Sequence, residues 1–538
     1  MLLSSTQVVL ATLGASAAAL PSTSSSAAAS APTGSALPAG FDITAYWGNL
    51  SPYKDGPGFN VSTGVPLGCE LSQVHVLHRH AQRYPTPYAL DGLSMEAFAQ
   101  KLQNYSLQHP NETLGTGPLA FLNDWKYLMG EDLLLPSGAA TEATSGANFW
   151  NKYGRPLFRA PAGLADWDPS LNVYPNGTQR PKPIFRTTGQ ARILESARWW
   201  LSGFFSSTNA NNSASQYDLV IIPETSGYNN TLAATCPEAQ YEGDTSAETF
   251  LNITTPTILH RLTPYLPPQL AATLTPLDIL SMLNLCPYET AVLGSSAFCP
   301  LFTAADWEIF AYALDLQFYG DYGFGSASGR AQGLGWVLEL AARLNNSLIT
   351  TQAANINLTY DSSPKTFPLH QQLYMDMSHD DVIVSVLAAL GVEYFNFGPH
   401  GLPGNVSVPP PRRFRLNEVA PFGAHLVAEV WSCPVAHKKV LGGATLYENP
   451  AVKGVVEAED WVRFVLNGRT VPLGGVSGCA DAGDGFCLVE GLLGGVGEMV
   501  RLAEYERACL GNGTTSHGQV GDGRPVMNPF DLDSMDKV

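Results

Sequence analysis

Arg79-His80-Ala81-Gln82-Arg83-Tyr84-Pro85-Thr86 is the stretch on which the reading of this chain turns. Before it lies Leu71 to Leu77, an apolar run with partial alternation that predicts a buried strand. Two arginines bracket a histidine where that strand ends, and a proline closes the turn. The planar guanidinium donates parallel hydrogen bonds to phosphate or carboxylate oxygens. A histidine among fixed cations stays neutral, and a neutral imidazole is a nucleophile. A lone histidine in a turn reads as structural. Here the arginines move the reading to anion capture, with His80 as nucleophile and Arg79 and Arg83 as ligands of the anion. A metal cluster of His75, His78 and His80 is the competing reading. At strand period, His78 and His80 share a face and His75 points away, and the two arginines repel a divalent cation. No metal and no cofactor is expected.

Two more tracts place similar residues after apolar runs. Ile184-Phe185 predicts a short strand entering Arg186, read as another anion ligand. A helix follows from about Gly189 to Phe205, on which Arg192 and Arg198 read as structural. Leu373 to Met377 predicts a strand entering His379-Asp380. Asp380 or Asp381 then caps a helix that runs through Leu390 and stops at Gly391. A carboxyl group beside an anion site has the chemistry of a general acid, the role read for Asp380. Asp381 reads as a cap whose charge raises the Asp380 pKa. Open α/β sheets gather their sites at the carboxyl ends of strands, where all three tracts are expected to lie.

Elsewhere the pattern predicts a helix from near Ser94, with Met95, Phe98 and Leu102 on one face, and strands at Leu219–Ile222, Ala424–Trp431 and Trp461–Leu466. Residues 245–345 read as mostly helical, broken at Pro267-Pro268, Pro287, Pro300 and the Gly-rich stretch 320–335. The fold class is α/β: a large domain with a central, mostly parallel sheet flanked by helices, plus a smaller inserted helical domain. The expected division is a signal peptide over 1–19, a disordered Ser/Ala/Pro linker over 20–40, the α/β domain over 41–228 and 331–515, the helical cap over 229–330, and a flexible tail over 516–538.

The short apolar run Val8 to Leu20, with Ala15-Ser16-Ala17 and Ala17-Ala18-Ala19 as cleavage candidates, predicts secretion, although no basic residue occurs before Lys54. Asn-x-Ser/Thr sequons at Asn49, Asn60, Asn104, Asn111, Asn176, Asn211, Asn229, Asn252, Asn345, Asn357, Asn405 and Asn512 predict N-glycans. No apolar run is long enough to span a bilayer. A net charge of −18 excludes nucleic acid and anionic membrane surfaces as partners, and requires any phosphate site to be locally basic. The 8 cysteines read as disulfides. Cys479 with Cys487 and Cys286 with Cys299 are the short-loop partners, and spacing alone leaves the rest of the pairing open.

The octet resembles the Arg-His-Gly-x-Arg-x-Pro signature of the histidine acid phosphatases, the branch of the histidine phosphatase superfamily that includes the fungal phytases. Ala81 stands at the usual glycine. Further tracts resemble that family in order: Arg186 to Arg192 with Ser196 to Trp200, Ser226 to Leu232, Cys299 to Thr303, Gln332 to Trp336 with Glu339 to Leu344, and Met377 to Asp380. The resemblance implies a phosphohistidine at His80, phosphate held by Arg79, Arg83, Arg186 and His379, and Asp380 protonating the leaving oxygen. It also implies the bridges Cys69–Cys433 and Cys236–Cys509 beside the two short ones. The function it implies is a secreted acid phosphomonoesterase acting on small phosphate esters, phytate among the candidates. Phytases carry lysines in tracts that here read Pro87 to Gly92 and Asp315 to Tyr319, without a lysine. That absence keeps a broad-specificity acid phosphatase with little phytase activity as an alternative. A phosphoglycerate-mutase-type phosphotransferase is disfavoured by the leader, the cystines and the His379-Asp380 pair. A non-catalytic secreted glycoprotein is disfavoured by the full set of site residues. The oligomeric state is not legible.

Overall fold

The computed structural model describes residues 37–511 and 522–524, apart from 57, 175, 207–212, 399, 435–439, 442–457 and 481–482. The expected leader, most of the linker and tail, and the sequons at Asn211 and Asn512 lie outside the described residues.

Alternating apolar residues fold into strands β1 Pro66–Leu67, β2 Glu70–Arg79, β3 Ile184–Thr188, β4 Asp218–Ile222, β5 Leu373–Ser378, β6 His425–Pro434, β7 Val440–Leu441, β8 Ala458–Leu466, β9 Arg469–Thr470 and β10 Phe486–Leu488. The main sheet runs β10-β8-β6-β2-β5-β3-β4, with β9 on β8, while β1 and β7 pair separately. The pairs β2–β5, β5–β3 and β3–β4 are parallel. The pairs β2–β6, β6–β8, β8–β9 and β8–β10 are antiparallel. The sheet is therefore mixed, not mostly parallel as the sequence led us to expect. One cause is local: Asn467-Gly468 is left-handed at both positions (φ 47° and 79°), and joins β8 to β9 by a tight turn that keeps neighbours antiparallel.

The longer helices are α1 Gly92–Gln108, α2 Pro136–Phe149, α3 Ala191–Phe205, α4 Glu242–Thr254, α5 Pro276–Leu293, α6 Ala304–Asp321, α7 Gly329–Leu344, α8 Asp380–Leu390 and α9 Val489–Ala503. One sheet face, with Val74, Val76, Phe185, Met375 and Met377, packs on Ile193, Ala197, Trp200 and Phe204 of α3. The other face, with Leu77, Leu426, Ala428 and Phe464, shares a continuous core with Phe250 of α4, Leu283 of α5, Trp307 of α6 and Trp336 of α7. The helical tract between β4 and β5 is thus joined to the sheet by one core.

The expected break at Pro287 is absent, while the one in the Gly-rich stretch is present, between Asp321 and Gly329. Helix α5 runs through Pro287, because every residue from Asp278 to Glu289 is buried and packing on all sides outweighs the roughly 3 kcal/mol cost of an interior proline. Helix α7 starts inside the Gly-rich stretch. Gly333 serves close packing on α8: a Cβ there would stand 2.2 Å from the Ser385 carbonyl oxygen. Cys69–Cys433, Cys236–Cys509, Cys286–Cys299 and Cys479–Cys487 are all bonded. Among the described residues, no helix is long and apolar enough to cross a membrane.

Candidate active site

The four parallel strands end on one side of the sheet, and each delivers a polar side chain there: His80 after β2, Arg192 after β3, Glu224 after β4, and His379-Asp380 after β5. The His80 amide donates to the Ser378 carbonyl at 3.1 Å, which ties the ends of β2 and β5.

His80 is buried, and its Nδ1 lies 2.7 Å from the Ala81 carbonyl oxygen. That contact needs the proton on Nδ1, so Nε2 carries the lone pair. Arg192 Nε stands 3.4 Å from Nε2. Burial, then the charges of Arg192, Arg79, Arg83 and His379, push the His80 pKa well below its ordinary value. The imidazole is thus held neutral, its Nε2 lone pair open, with four cationic side chains acting on it.

Arg79 is held from below by the carbonyls of Asn49 and Ala420, and its guanidinium lies 4.6 Å from the centre of the Phe422 ring. Arg83 donates to the Tyr288 hydroxyl at 2.8 Å and pairs with Asp91 at 3.3 Å. The Nε donors of both arginines are buried and without a hydrogen-bond partner among the described residues. Buried donors of this kind suit an anion. Asp91 also accepts from the Thr86 amide and hydroxyl and from Tyr288, so it braces the octet and is no open cleft position for a lysine. Gln317, in the second lysine-free tract, donates to Asp244 at 2.7 Å.

His379 Nε2 lies 3.1 Å from both Glu224 carboxylate oxygens. Burial lowers its pKa, but Glu224 overrides that and leaves it raised. His379 is thus a further cation, its ring centre 6.0 Å from that of His80. Asp380 meets Arg79 at 2.8 Å and accepts from Asn49 Nδ2 at 2.9 Å. Burial raises its pKa, yet Arg79, Arg83, Asn49 and His379 hold it below the usual range. The neighbour behaves oppositely: burial, opposed by His379 and helped by Asp380, lifts Asp381 to about 6. So the expected effect of Asp381 on Asp380 is outweighed, because Asp380 owns the contact with Arg79. The N-cap of α8 is His379, with the two aspartates in its first turn.

Arg186 is not at this site. Strand β3 runs on to Thr188, and Arg186, alternating with Phe185, projects under the sheet. There it pairs with Asp376 at 2.7 Å, Asp361 at 3.1 Å and Glu339. Arg343 of α7 joins the same Asp376 at 2.7 Å. The arginine of this tract that reaches His80 is Arg192, at the start of α3 and paired with Asp132 at 2.5 Å. Gly189-Gln190, which separates strand from helix, is the sequence signal that could have moved the choice. Glu224 and Asn49 were missed as well. Asn49 lies far upstream in a segment without a motif, and its sequon misleads: the side chain is buried on Asp380, so it is no glycan acceptor.

The other two histidines of the β2 tract serve the core. His75 stacks on Tyr374 at 4.6 Å and meets Gln73 at 2.9 Å. His78 contacts the Arg79 carbonyl and Ser145 Oγ at 2.7 and 3.0 Å.

Residues 70–467 match the histidine phosphatase superfamily (branch 2), and the chain belongs to that family. It is a phosphoric monoester hydrolase of the histidine acid phosphatase type. A phytase A of Aspergillus oryzae is 30% identical over 468 residues, covering 84% of this chain and 88% of that one. A phytase A of Aspergillus terreus is 31% identical over 472 residues, with the same coverages of 84% and 88%. The crystal structure of the phytase from D. castellii shares the fold, with a TM-score of 0.62 at 21% identity over 90% of this chain and 92% of that one. The multiple inositol polyphosphate phosphatase of Bifidobacterium longum does so at a TM-score of 0.53 and 14% identity, over 83% and 96%.

Proposed function

We propose that this chain is a secreted acid phosphomonoesterase that works through a phosphohistidine at His80. The observation that carries the reading is the His80 Nε2 lone pair set among Arg79, Arg83, Arg192 and His379. These four cations hold the phosphoryl oxygens and offset the charge that spreads over them as the bond breaks. His80 Nε2 attacks phosphorus in line, the bond to the alcohol oxygen breaks, and Asp380 delivers a proton to that oxygen. Water then attacks phosphorus, Asp380 takes back a proton, the P–N bond breaks, and phosphate leaves. Asp380 needs its proton for the first step. A bound phosphate shares the charge of Arg79 and Arg83, the groups that keep Asp380 ionised, and adds negative charge beside it. Both effects raise the Asp380 pKa on binding.

The helices over 229–330 act as a cap on the leaving-group side. The four disulfides and the leader over 1–19 support secretion, with N-glycans on exposed sequons such as Asn104, Asn252 and Asn405. The fungal relatives are phytases, so phytate belongs among the substrates tested beside simple monoesters.

Acid quench during turnover is expected to trap an acid-labile phosphoryl group on His80, and His80→Ala is expected to abolish both the trap and turnover with the fold intact. Substantial turnover by His80→Ala would refute the assignment.

A further inference from the structure

A second pocket lies at the opposite ends of two strands that lead to the site. It has a volume of about 380 Å³ and is lined by the residues that enter β3 and β5, Lys182 to Ile184 and Leu369 to Gln372, and by Tyr174 and Arg180 of the loop before β3. Strand β5 has 6 residues, so about 20 Å of sheet separates this pocket from His379. The chain carries 47 acidic and 29 basic residues, yet none of the residues that line this pocket is acidic, while Arg180, Lys182 and His370 all line it. Arg180 is fixed by its neighbours. Its Nε donates to the Val173 carbonyl at 3.0 Å, its Nη1 donates to the His370 carbonyl at 2.9 Å, and its guanidinium lies 4.3 Å from the centre of the Tyr174 ring. Its Nη2 has no hydrogen-bond partner among the described residues. Lys182 is exposed and forms no ion pair or hydrogen bond among them. His370, whose carbonyl holds Arg180, has a left-handed backbone (φ 60°), which a non-glycine residue keeps only where its surroundings fix it.

Much of the remaining wall is apolar and stiff. Pro181, Pro183, Pro364 and Pro368 supply rings of fixed shape, with Phe158 and Leu369 beside them. The volume falls in the range of small-molecule sites, which pair mostly apolar walls with a few placed polar groups. Cations without a carboxylate in the lining call for an anion, and proline rings call for a flat apolar body. The available charge is modest: one guanidinium with two of its nitrogens already engaged, and one ammonium. That matches a single carboxylate and falls short of a polyphosphate. We propose that this pocket is a second ligand site that binds a small aryl carboxylate, with the carboxylate on Arg180 and Lys182 and the ring against the proline wall. The site is separate from the phosphate site and does not depend on the phosphomonoesterase reading.

Isothermal titration calorimetry on the full chain near neutral pH tests this, with 2-naphthoate, neutral 2-naphthamide and 2-naphthylmethylammonium as probes of one shape and three charges. Naphthoate is expected to bind roughly 5- to 25-fold more tightly than the amide, the scale of one or two partly exposed charge pairs, and the ammonium is expected to bind most weakly. Lys182→Gln, at an exposed position without contacts that folding needs, should weaken naphthoate binding by up to about fivefold and leave the amide unchanged. Arg180→Gln should weaken naphthoate as well, and Lys182→Glu should remove its advantage over the amide. Leu369→Trp adds bulk to the wall and should abolish binding of naphthoate and amide together. Arg192→Ala, at the phosphate site, should leave the naphthoate Kd where it was. Three results overturn the site: no heat of binding with naphthoate at millimolar concentration, equal affinity for naphthoate and the amide, or a naphthoate affinity that falls in Arg192→Ala and holds in Lys182→Gln. The last would assign the binding to the phosphate site.

Discussion

Arg186→Ala and Arg192→Ala are expected to fail in different ways. Arg186 is the hub of a buried cluster, and its removal leaves Asp376, Asp361 and Glu339 facing each other without it. Breaking a buried ion pair from one side costs about 3–5 kcal/mol, so loss of stability should dominate in a denaturant titration. Arg192 reaches His80 from a helix start, and its one ion pair among the described residues is to the partly exposed Asp132. Arg192→Ala should leave the unfolding midpoint nearly in place and lower kcat/KM by roughly 10- to 100-fold, the value of a charge-assisted hydrogen bond. It also removes a cation that disfavours protonated His80, so the His80 pKa rises and the acid limb of kcat/KM moves to higher pH. A stable Arg186→Ala with selectively weakened substrate binding would return Arg186 to the site.

At the scale of elements, the strand ends are fixed from both sides. Cys69–Cys433 clamps the start of β2 to the end of β6, while the site forms where β2 finishes at Arg79. The 10 residues of β2 put about 33 Å of strand between clamp and nucleophile. Replacing both cysteines by alanine is expected to cost about 2–5 kcal/mol in unfolding free energy and to leave kcat/KM within about twofold. A selective loss of activity with stability preserved would mean that the clamp positions His80 through the strand.

For the whole molecule, opposing sets of buried groups set the pH range of stability. Burial holds Glu142 well above the carboxylate range, lifts Asp321 to about 8 with help from Asp244, lifts Asp361 to about 8 with help from Glu339, and lifts Asp381 to about 6. Between its unfolded value and its folded one, each raised acid binds more proton in the native state. Stability contributed by these groups falls as pH rises through that window. Burial also depresses His75, His78, His80 and His425. For these the unfolded state binds more proton below about 6.5, so their contribution falls as pH drops. From about pH 4.5 to 6.5 the two sets oppose each other and the slopes largely cancel. Above about 6.5 the depressed histidines are neutral in both states, and each acid still protonated costs up to about 1.4 kcal/mol per pH unit. Below about 4, Asp376, Asp380, Glu224 and Glu429, held low by ion pairs despite burial, lose those pairs. Thermal unfolding from pH 3 to 9 should show a plateau at moderately acidic pH that falls on either side. Asp321→Asn should flatten the alkaline fall, and a midpoint that rises from pH 6.5 to 8 would rule out the protonated acids.

The sequence by itself determined the chemistry that is local in the chain. The octet, the His379-Asp380 pair and the strands leading into them are contiguous, and side-chain period and turn residues mark where each begins. The even cysteine count and the family's motifs were likewise readable in one dimension. What only the tertiary structure decided is which face each side chain meets. Arg186 and Arg192 belong to one tract with similar local signals, and the two-residue continuation of β3 past Arg186 sends one under the sheet and leaves the other to His80. Asn49 and Glu224 touch His379 or Asp380 across long stretches of chain that no periodicity connects. The antiparallel half of the sheet depends on pairing between strands, which strand pattern does not encode. Charge followed the same rule. Asp380 and Asp381 are adjacent and chemically identical, and the placement of Arg79, Arg83 and Asn49 against one of them sends their pKa values in opposite directions.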